Sequence, residues 1–332
     1  DSSTLYPVLG QDAFVLMFPM QGKQHWRLVG NLPEYDLQID SAEQRLLRRQ
    51  TLRERQRDVT FDEVEQKVKQ LVQKPLTITT VRWFSTYKVH TRHAEKFSVD
   101  RCFLAGDAAH VHTPAGGQGM NTGIQDAYNL AWKIAVVLKG AAGDALLESY
   151  NEERLANAKR LLQTTDRAFE ILAGDRWYLR FFRTKILPSL AGVVMQSSLG
   201  KEFLFPTVSQ IGLNYRDSSL SKHPGDKDFK VKAGDRMPYF LVDGANVYDK
   251  LRAPKFHLIV FYDDKHGHQD LQPELEHEYG DLIDFNIMPL DPHVVETFGT
   301  NQPFQVLLRP DNYIGCISTE FALTDLKAYF GH

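Results

Sequence analysis

The spacing of apolar positions changes several times along the chain and marks out its elements. Phe14 to Phe18 and Gln24 to Gly30 alternate as two strands around the turn Met20-Gln21-Gly22-Lys23, which predicts a hairpin. Ser41 with Gln44, and Thr60 with Glu63, have capping-box spacing and open two charged helices at about 41–57 and 61–73. Leu76 to Phe84 and Thr86 to Thr91 return to strand-like alternation rich in Thr, Val and aromatics. A short apolar strand, Cys102 to Ala105, stops at Gly106-Asp107 and leads through a glycine-rich loop into a long helix. That helix carries Ile124, Ala127, Ala131, Ile134, Ala135 and Leu138 at intervals of three and four, one apolar stripe, and ends at Lys139-Gly140. A second long helix is predicted over 144–172, and two short ones over 177–199, broken at Pro188.

Polar residues then dominate 218–235, which reads as a linker. Beyond it, 256–262, 282–287, 304–308 and 313–318 read as strands, with helix-like segments at about 270–279 and 319–330. The expected class is α/β with α+β elements. The expected division is 1–94, 95–217, a linker at 218–235, and 236–332.

Charge narrows the partners. A net charge of −3 gives no electrostatic footprint for nucleic acid or an anionic membrane. The arginines of the 41–57 helix are interleaved with Glu43, Glu54 and Asp58, the pattern of a solvated face. No apolar run approaches the roughly 18 residues of a spanning helix. Two cysteines in unrelated contexts, Cys102 and Cys316, suit a reduced cytoplasmic protein without a disulfide framework. No metal site is expected. The chain starts at Asp1 without a methionine, and the expectation is that a preceding segment has been removed.

The chemistry concentrates in the glycine-rich loop. Gly116, Gly117 and Gly119 strip side chains from the approach to a helix N-terminus, where free N–H groups and the positive end of the helix dipole favour an anion or an electron-rich ring. Asp107, at a strand end, can accept hydrogen bonds from sugar-type hydroxyls. The competing reading is a tight strand-to-helix connection whose glycines only permit packing. His110 and His112 flank the motif and read as structural histidines.

The whole order is what resembles a known family: Gly106-Asp107-Ala108-Ala109-His110, then Pro114, then Gly116-Gly117-Gln118-Gly119-Met120-Asn121, then Asp126, Asn129, Leu130 and Trp132. It resembles the second FAD-binding motif of the flavoprotein aromatic hydroxylases of the para-hydroxybenzoate and phenol hydroxylase type. Ser149-Tyr150-Asn151-Glu152-Glu153-Arg154 and Leu308-Arg309-Pro310-Asp311-Asn312-Tyr313 resemble the same family. The resemblance implies a partial FAD-binding and substrate-binding hydroxylase fold followed by a thioredoxin-like C-terminal domain. It assigns Gly106, Asp107, Pro114, Gly117, Gly119, Met120 and Asn121 to the flavin, with Asp107 on the ribityl chain. Pro114 and the loop lie along the isoalloxazine.

Arg82, Trp83 and Tyr87 are the candidates to line a pocket for a small aromatic substrate, on what the resemblance makes the end of the substrate sheet. The implied reaction is hydroxylation of an aromatic or polyketide-like substrate through a flavin C4a-hydroperoxide, with NAD(P)H as transient reductant. No G-x-G-x-x-G occurs in the chain, so the expected partner is an N-terminal FAD-binding half, and a homodimer is possible. The alternative is a non-catalytic chain keeping only fold and dimer surfaces. Without a C-x-x-C, Cys316 stands alone and redox exchange is not expected.

Overall fold

The computed structural model describes residues 4–11, 13–22, 24–31, 60–72, 74–86, 90–113, 117–174, 176–189, 197, 209–224, 228–242, 244–262, 272–319 and 323–330. It divides into two units, Asp1–His90 with Thr164–Lys201, and Thr91–Gln163 with Glu202–His332.

In the first unit, β1 (Tyr6–Leu9), β2 (Phe14–Pro19) and β3 (Trp26–Gly30) form an antiparallel sheet in that order. The β2–β3 pair is the hairpin expected from the alternation, with Val15 opposite Gly30 and Pro19 opposite Trp26. Helix α1 (Phe61–Val72) begins with the capping box: Glu63 N donates to Thr60 Oγ1 at 3.4 Å and Thr60 N to Glu63 Oε2 at 3.2 Å. Its predicted companion at 41–57 lies outside the described residues. Phe169 meets Phe14 edge-on. After the single helical turn Trp177–Phe181, a π-helical turn Phe182–Ile186 buries Arg183, which donates to the carbonyls of Gly10, Gln11, Ile171 and Gly174.

One expectation fails here. Leu76 to Phe84 forms no strand; the segment runs without regular structure and Val81 to Phe84 are exposed. Thr-rich alternation favours a pleated surface only where a neighbouring strand supplies the ladder, and no described strand pairs with it.

The second unit opens with short pairs: β4 (Arg92–His93), and the hairpin of β5 (Ser98–Val99) with β6 (Cys102–Phe103). A 3₁₀ turn, Gly106–Ala108, leads to β7 (His110–Val111), which pairs with β4. The predicted strand at 102–105 is thus two residues long and lies in an antiparallel hairpin. Helix α2 (Gly119–Leu138) ends at Gly140, whose φ of +70° lets the chain turn out of the helix. Helix α3 (Ala145–Ala173) follows, and its last turns belong to the first unit.

The apolar stripe of α2 does not face the core. Ile124 is 58% and Leu138 80% exposed, while Thr122, Asp126, Asn129, Trp132, Lys133 and Val136 are buried. Periodicity identified the helix but not its inner face, because each polar group on that face meets a buried partner that no local pattern announces.

The C-terminal part is a four-stranded sheet, β8 (Phe256–Tyr262), β9 (Ile283–Pro289), β10 (Phe304–Leu308) and β11 (Ile314–Ser318), in the order β9-β8-β10-β11. The β8–β9 pair is parallel and the other two antiparallel. Helices α4 (Gln272–Tyr279), α5 (Pro292–Phe298) and α6 (Leu323–Phe330) accompany it. Apart from His257, strand β8 is apolar throughout because both its faces are covered: Ile259 and Phe261 share a cluster with Phe298 and Phe304, while Phe256 and Leu258 share one with Trp132, Leu326 and Phe330. The polar stretch 218–235 is built into this unit: Leu220, Phe229 and Ala233 are buried in it.

Candidate functional site

The turn after β6 and the start of α2 hold most of the described residues of the candidate site. Gly106, at φ +58°, begins the 3₁₀ turn, which closes through Ala109 N to Gly106 O at 2.8 Å. Gly106 lies against Gly123 of α2, where a Cβ would stand 3.4 Å from the Gly106 Cα, so backbone meets backbone. This contact brings the Gly106-Asp107 turn and the first turns of α2 together. Asp107 is exposed and has no hydrogen-bond or ion-pair partner among the described residues.

Helix α2 starts without a side-chain cap and with no acidic residue in its first turn. Its first N–H groups are therefore available to a ligand. Gly117, at φ +64°, has nothing within 4 Å of an added Cβ. Met120 is 76% exposed and Asn121 is exposed. His112 packs beside Gly119; its Nδ1 faces Thr113 O at 2.7 Å, and its buried Nε2 has no hydrogen-bond partner. Pro114, Gly116 and Tyr87 lie outside the described residues. Arg82 and Trp83 belong to the first unit and are exposed, Trp83 at 74%.

Beneath this surface lies a buried ionic network that the sequence does not announce. Asp126 Oδ2 accepts from Gly106 N at 2.9 Å and contacts His110 Nε2 at 2.8 Å. Asp126 Oδ1 accepts from Arg154 Nε at 2.6 Å, and Arg154 reaches Tyr215 Oη at 2.6 Å and Thr122 O at 3.3 Å. One turn further along α2, Asn129 and Lys133 meet Glu153 of α3, which also binds Ser218 and both terminal nitrogens of Arg309. Asp311 completes the group, accepting from Arg309, Asn129 and Trp132.

Three carboxylates thus face three cations. Burial alone would raise Asp126; the hydrogen bond with His110, the Arg154 charge and the Gly106 N–H outweigh it and hold the carboxyl below its usual range. Glu153 is lowered further, the Arg309 and Lys133 charges overcoming its desolvation. Burial pulls Lys133 down to about 8 despite the opposing pull of Glu153. Asp126, Asn129, Trp132, Glu153, Arg154, Arg309 and Asp311 fall in the segments whose resemblance was noted, yet their pairing joins positions up to 182 apart and has no local signature. Among the described residues, no three His, Cys, Asp or Glu side chains gather as metal ligands.

Residues 20–165 match the family model described as an FAD binding domain. The chain is similar over this stretch and beyond it to flavin-dependent monooxygenases of the aromatic hydroxylase type. A flavin-dependent monooxygenase of Mycobacteroides abscessus is 34% identical over 253 residues, covering 76% of this chain and 44% of that protein. The 6-methylpretetramide 4-monooxygenase of Streptomyces rimosus is 33% identical over 276 residues, 77% of this chain and 48% of the relative. The crystal structure of CabE, an aromatic hydroxylase from angucycline biosynthesis, superimposes with a TM-score of 0.68 at 25% identity, covering 98% of this chain and 60% of that one. The chain spans about half the length of these curated hydroxylase relatives.

The exposed Asp107, the uncapped start of α2 and the open space at Gly117 fit the cofactor of this hydroxylase family. They offer an acceptor for hydroxyls, helix-start N–H groups with no side-chain cap among the described residues, and room for close approach. No described helix is long and apolar enough to cross a membrane.

Proposed function

We propose that this protein is an FAD-dependent monooxygenase that hydroxylates an aromatic or polyketide-type substrate, with NAD(P)H as the reductant. The observation that carries the reading is the pairing of a solvent-facing Asp107 with the uncapped N-terminus of α2 across the Gly106–Gly123 contact. FAD, when bound, supplies the redox chemistry that activates dioxygen. In this reading Asp107 would accept hydrogen bonds from the hydroxyls of FAD, and the backbone at Gly117, Gly119, Met120 and Asn121 would hold its ring. The positive end of the α2 dipole there favours the anionic reduced form.

Gly106 sets the turn, and Pro114 is assigned to the same cofactor by the motif. Arg82, Trp83 and Tyr87 are the proposed substrate-facing residues. The polyketide-type substrate follows from what the 6-methylpretetramide 4-monooxygenase and the angucycline hydroxylase are named for.

The same proposal divides the chain into a substrate-sheet region at 1–94, an FAD-binding region at 95–217, a connecting stretch at 218–235 and a thioredoxin-like domain at 236–332. The last is supported by the order β9-β8-β10-β11 with one parallel and two antiparallel pairs. The test is an FAD titration followed by NADH and NADPH oxidation with and without simple phenols and aromatic polyketides. With an N-terminal FAD-binding half present, stoichiometric FAD with substrate-stimulated oxidation and a hydroxylated product is expected. Absence of FAD binding would reject the reading.

A further inference from the structure

We propose that Asp126, backed by Arg154, is the positioning residue that fixes Asp107 in the cofactor site. The inference rests on the FAD reading and adds to it a residue that need not touch the cofactor.

Asp107 sits between two groups that the same oxygen holds. Asp126 Oδ2 takes the Gly106 N–H at 2.9 Å on one side of Asp107 and faces His110 Nε2 at 2.8 Å on the other. One carboxylate oxygen therefore spans both ends of the turn that presents Asp107. At the Gly106–Gly123 contact no side chain fills the gap, so polar bonds and not interdigitated packing set the separation of turn and helix.

The second oxygen of Asp126 is committed to Arg154 Nε at 2.6 Å. Arg154 cannot drift, because its remaining nitrogens bind Tyr215 Oη and the Thr122 carbonyl in the first turns of α2. Thr122 is itself tied to Gln118 O at 2.9 Å and to Gln210 Nε2 at 2.7 Å. The Asp126–Arg154 pair thus grips the Asp107 turn on one side and the start of α2 on the other, and these are the two halves of the proposed flavin site. Both side chains are wholly buried, so water offers no substitute bonds if one is removed. His110, stacked on Phe97 at 5.8 Å, is held flat for its contact.

A role confined to stability and a role in positioning differ in what couples to Asp107. The experiment is a double-mutant cycle on FAD affinity in the full-length protein, with Asp126→Asn and Asp107→Ala alone and together. Measurements are made where every variant is folded by far-ultraviolet circular dichroism. Asp126→Asn is expected to weaken FAD binding about tenfold or more, and to cost less than about threefold once Asp107 is already alanine. The Gly106 amide is expected to exchange faster, and the visible circular dichroism of the bound flavin to change. Lys133→Met, a change in the neighbouring ion cluster, is expected to lower stability but shift FAD affinity less than about twofold.

Should Asp126→Asn not fold, His110→Asn removes one of the two contacts while leaving the ion pair, and the same non-additivity with Asp107→Ala is expected. An unchanged affinity, or effects that simply multiply, would overturn the positioning role alone. Failure of the wild type to bind FAD would instead remove the FAD reading, and this role with it.

Discussion

Arg309 and Glu153, 156 positions apart in the chain, face each other as a two-pronged ion pair, with Nη1–Oε1 at 2.5 Å and Nη2–Oε2 at 2.9 Å. Neither side chain has any exposed surface. The pair joins α3 to the turn between β10 and β11, the stretch that also supplies Asp311 to Trp132 and Asn129 of α2. Breaking it from the Arg309 side leaves Glu153 and Asp311 buried with Lys133 as their remaining cation. Arg309→Met is therefore expected to cost about 3–5 kcal/mol of stability, the usual penalty for stranding a buried charge. Urea denaturation followed by circular dichroism measures it; a loss below about 1 kcal/mol would mean that water reaches the site and screens it.

The same network sets a pH dependence of definite sign. Asp126 and Glu153 titrate below their ordinary 3.8 and 4.5 in the folded chain, so the unfolded chain binds more protons as pH falls. Their contribution is complete above those ordinary values and drains away as pH drops through them toward the folded ones. Lys133 acts at the other end. Its amine is lowered from 10.5 to about 8, so the unfolded chain again binds more protons between those values and stability rises with pH there. The rise is to be read below pH 10 and in a Cys316→Ser background, because Tyr150, Tyr313 and Cys316, whose ionisation burial pushes up, weaken the fold once their unfolded counterparts ionise. Urea midpoints at pH 8 and 9.5 should show the increase, and Lys133→Met should abolish it.

How much of this was legible in the sequence depends on the range of the interaction. The Thr60–Glu63 cap, the β2–β3 hairpin and the length of α3 rest on neighbours in the chain, and the pattern predicted each. Helix α5 went unread although its signals are local: Asp291 caps Val294 N, Pro292 follows, and Gly299 closes it at φ +77°. The buried face of α2 was not legible in its stripe. Asp126, Asn129 and Lys133 lie outside that stripe, and their burial follows only when α3 and the β10–β11 turn bring Arg154, Glu153 and Arg309 against them. Leu76 to Phe84 misled for the converse reason: local β preference without a partner strand makes no sheet.

Asp107→Ala tests the exposed end of the site. The carboxylate has no protein partner among the described residues, so its removal strands nothing and leaves the melting temperature close to that of the wild type. FAD affinity is expected to fall by about 1–3 kcal/mol, the worth of a charge-assisted hydrogen bond to a hydroxyl. Calorimetric titration of FAD into both proteins gives the difference; equal dissociation constants would remove Asp107 from the site.

The two cysteines offer a test of the C-terminal unit. Cys102 is free and exposed in the β5–β6 hairpin, whereas Cys316 is free and buried in β11. Burial, with the nearby Asp325 charge adding to it, pushes the Cys316 thiol up to about 12. A thiolate is the reactive form, so at neutral pH Cys316 is both shielded and protonated. Its side chain belongs to a buried cluster with Leu307, Leu326 and Tyr329, the surroundings of a small apolar core residue rather than of a redox thiol. A native-state titration with a thiol-specific disulfide reagent at pH 7.5 is expected to modify one cysteine promptly and the second only after denaturant is added. Cys102→Ser should abolish the fast phase, and Cys316→Ser should leave it intact. Turnover in an insulin-reduction assay that depends on Cys316, or rapid labelling of Cys316 in the folded chain, would show that β11 opens far more readily than its burial in the sheet implies.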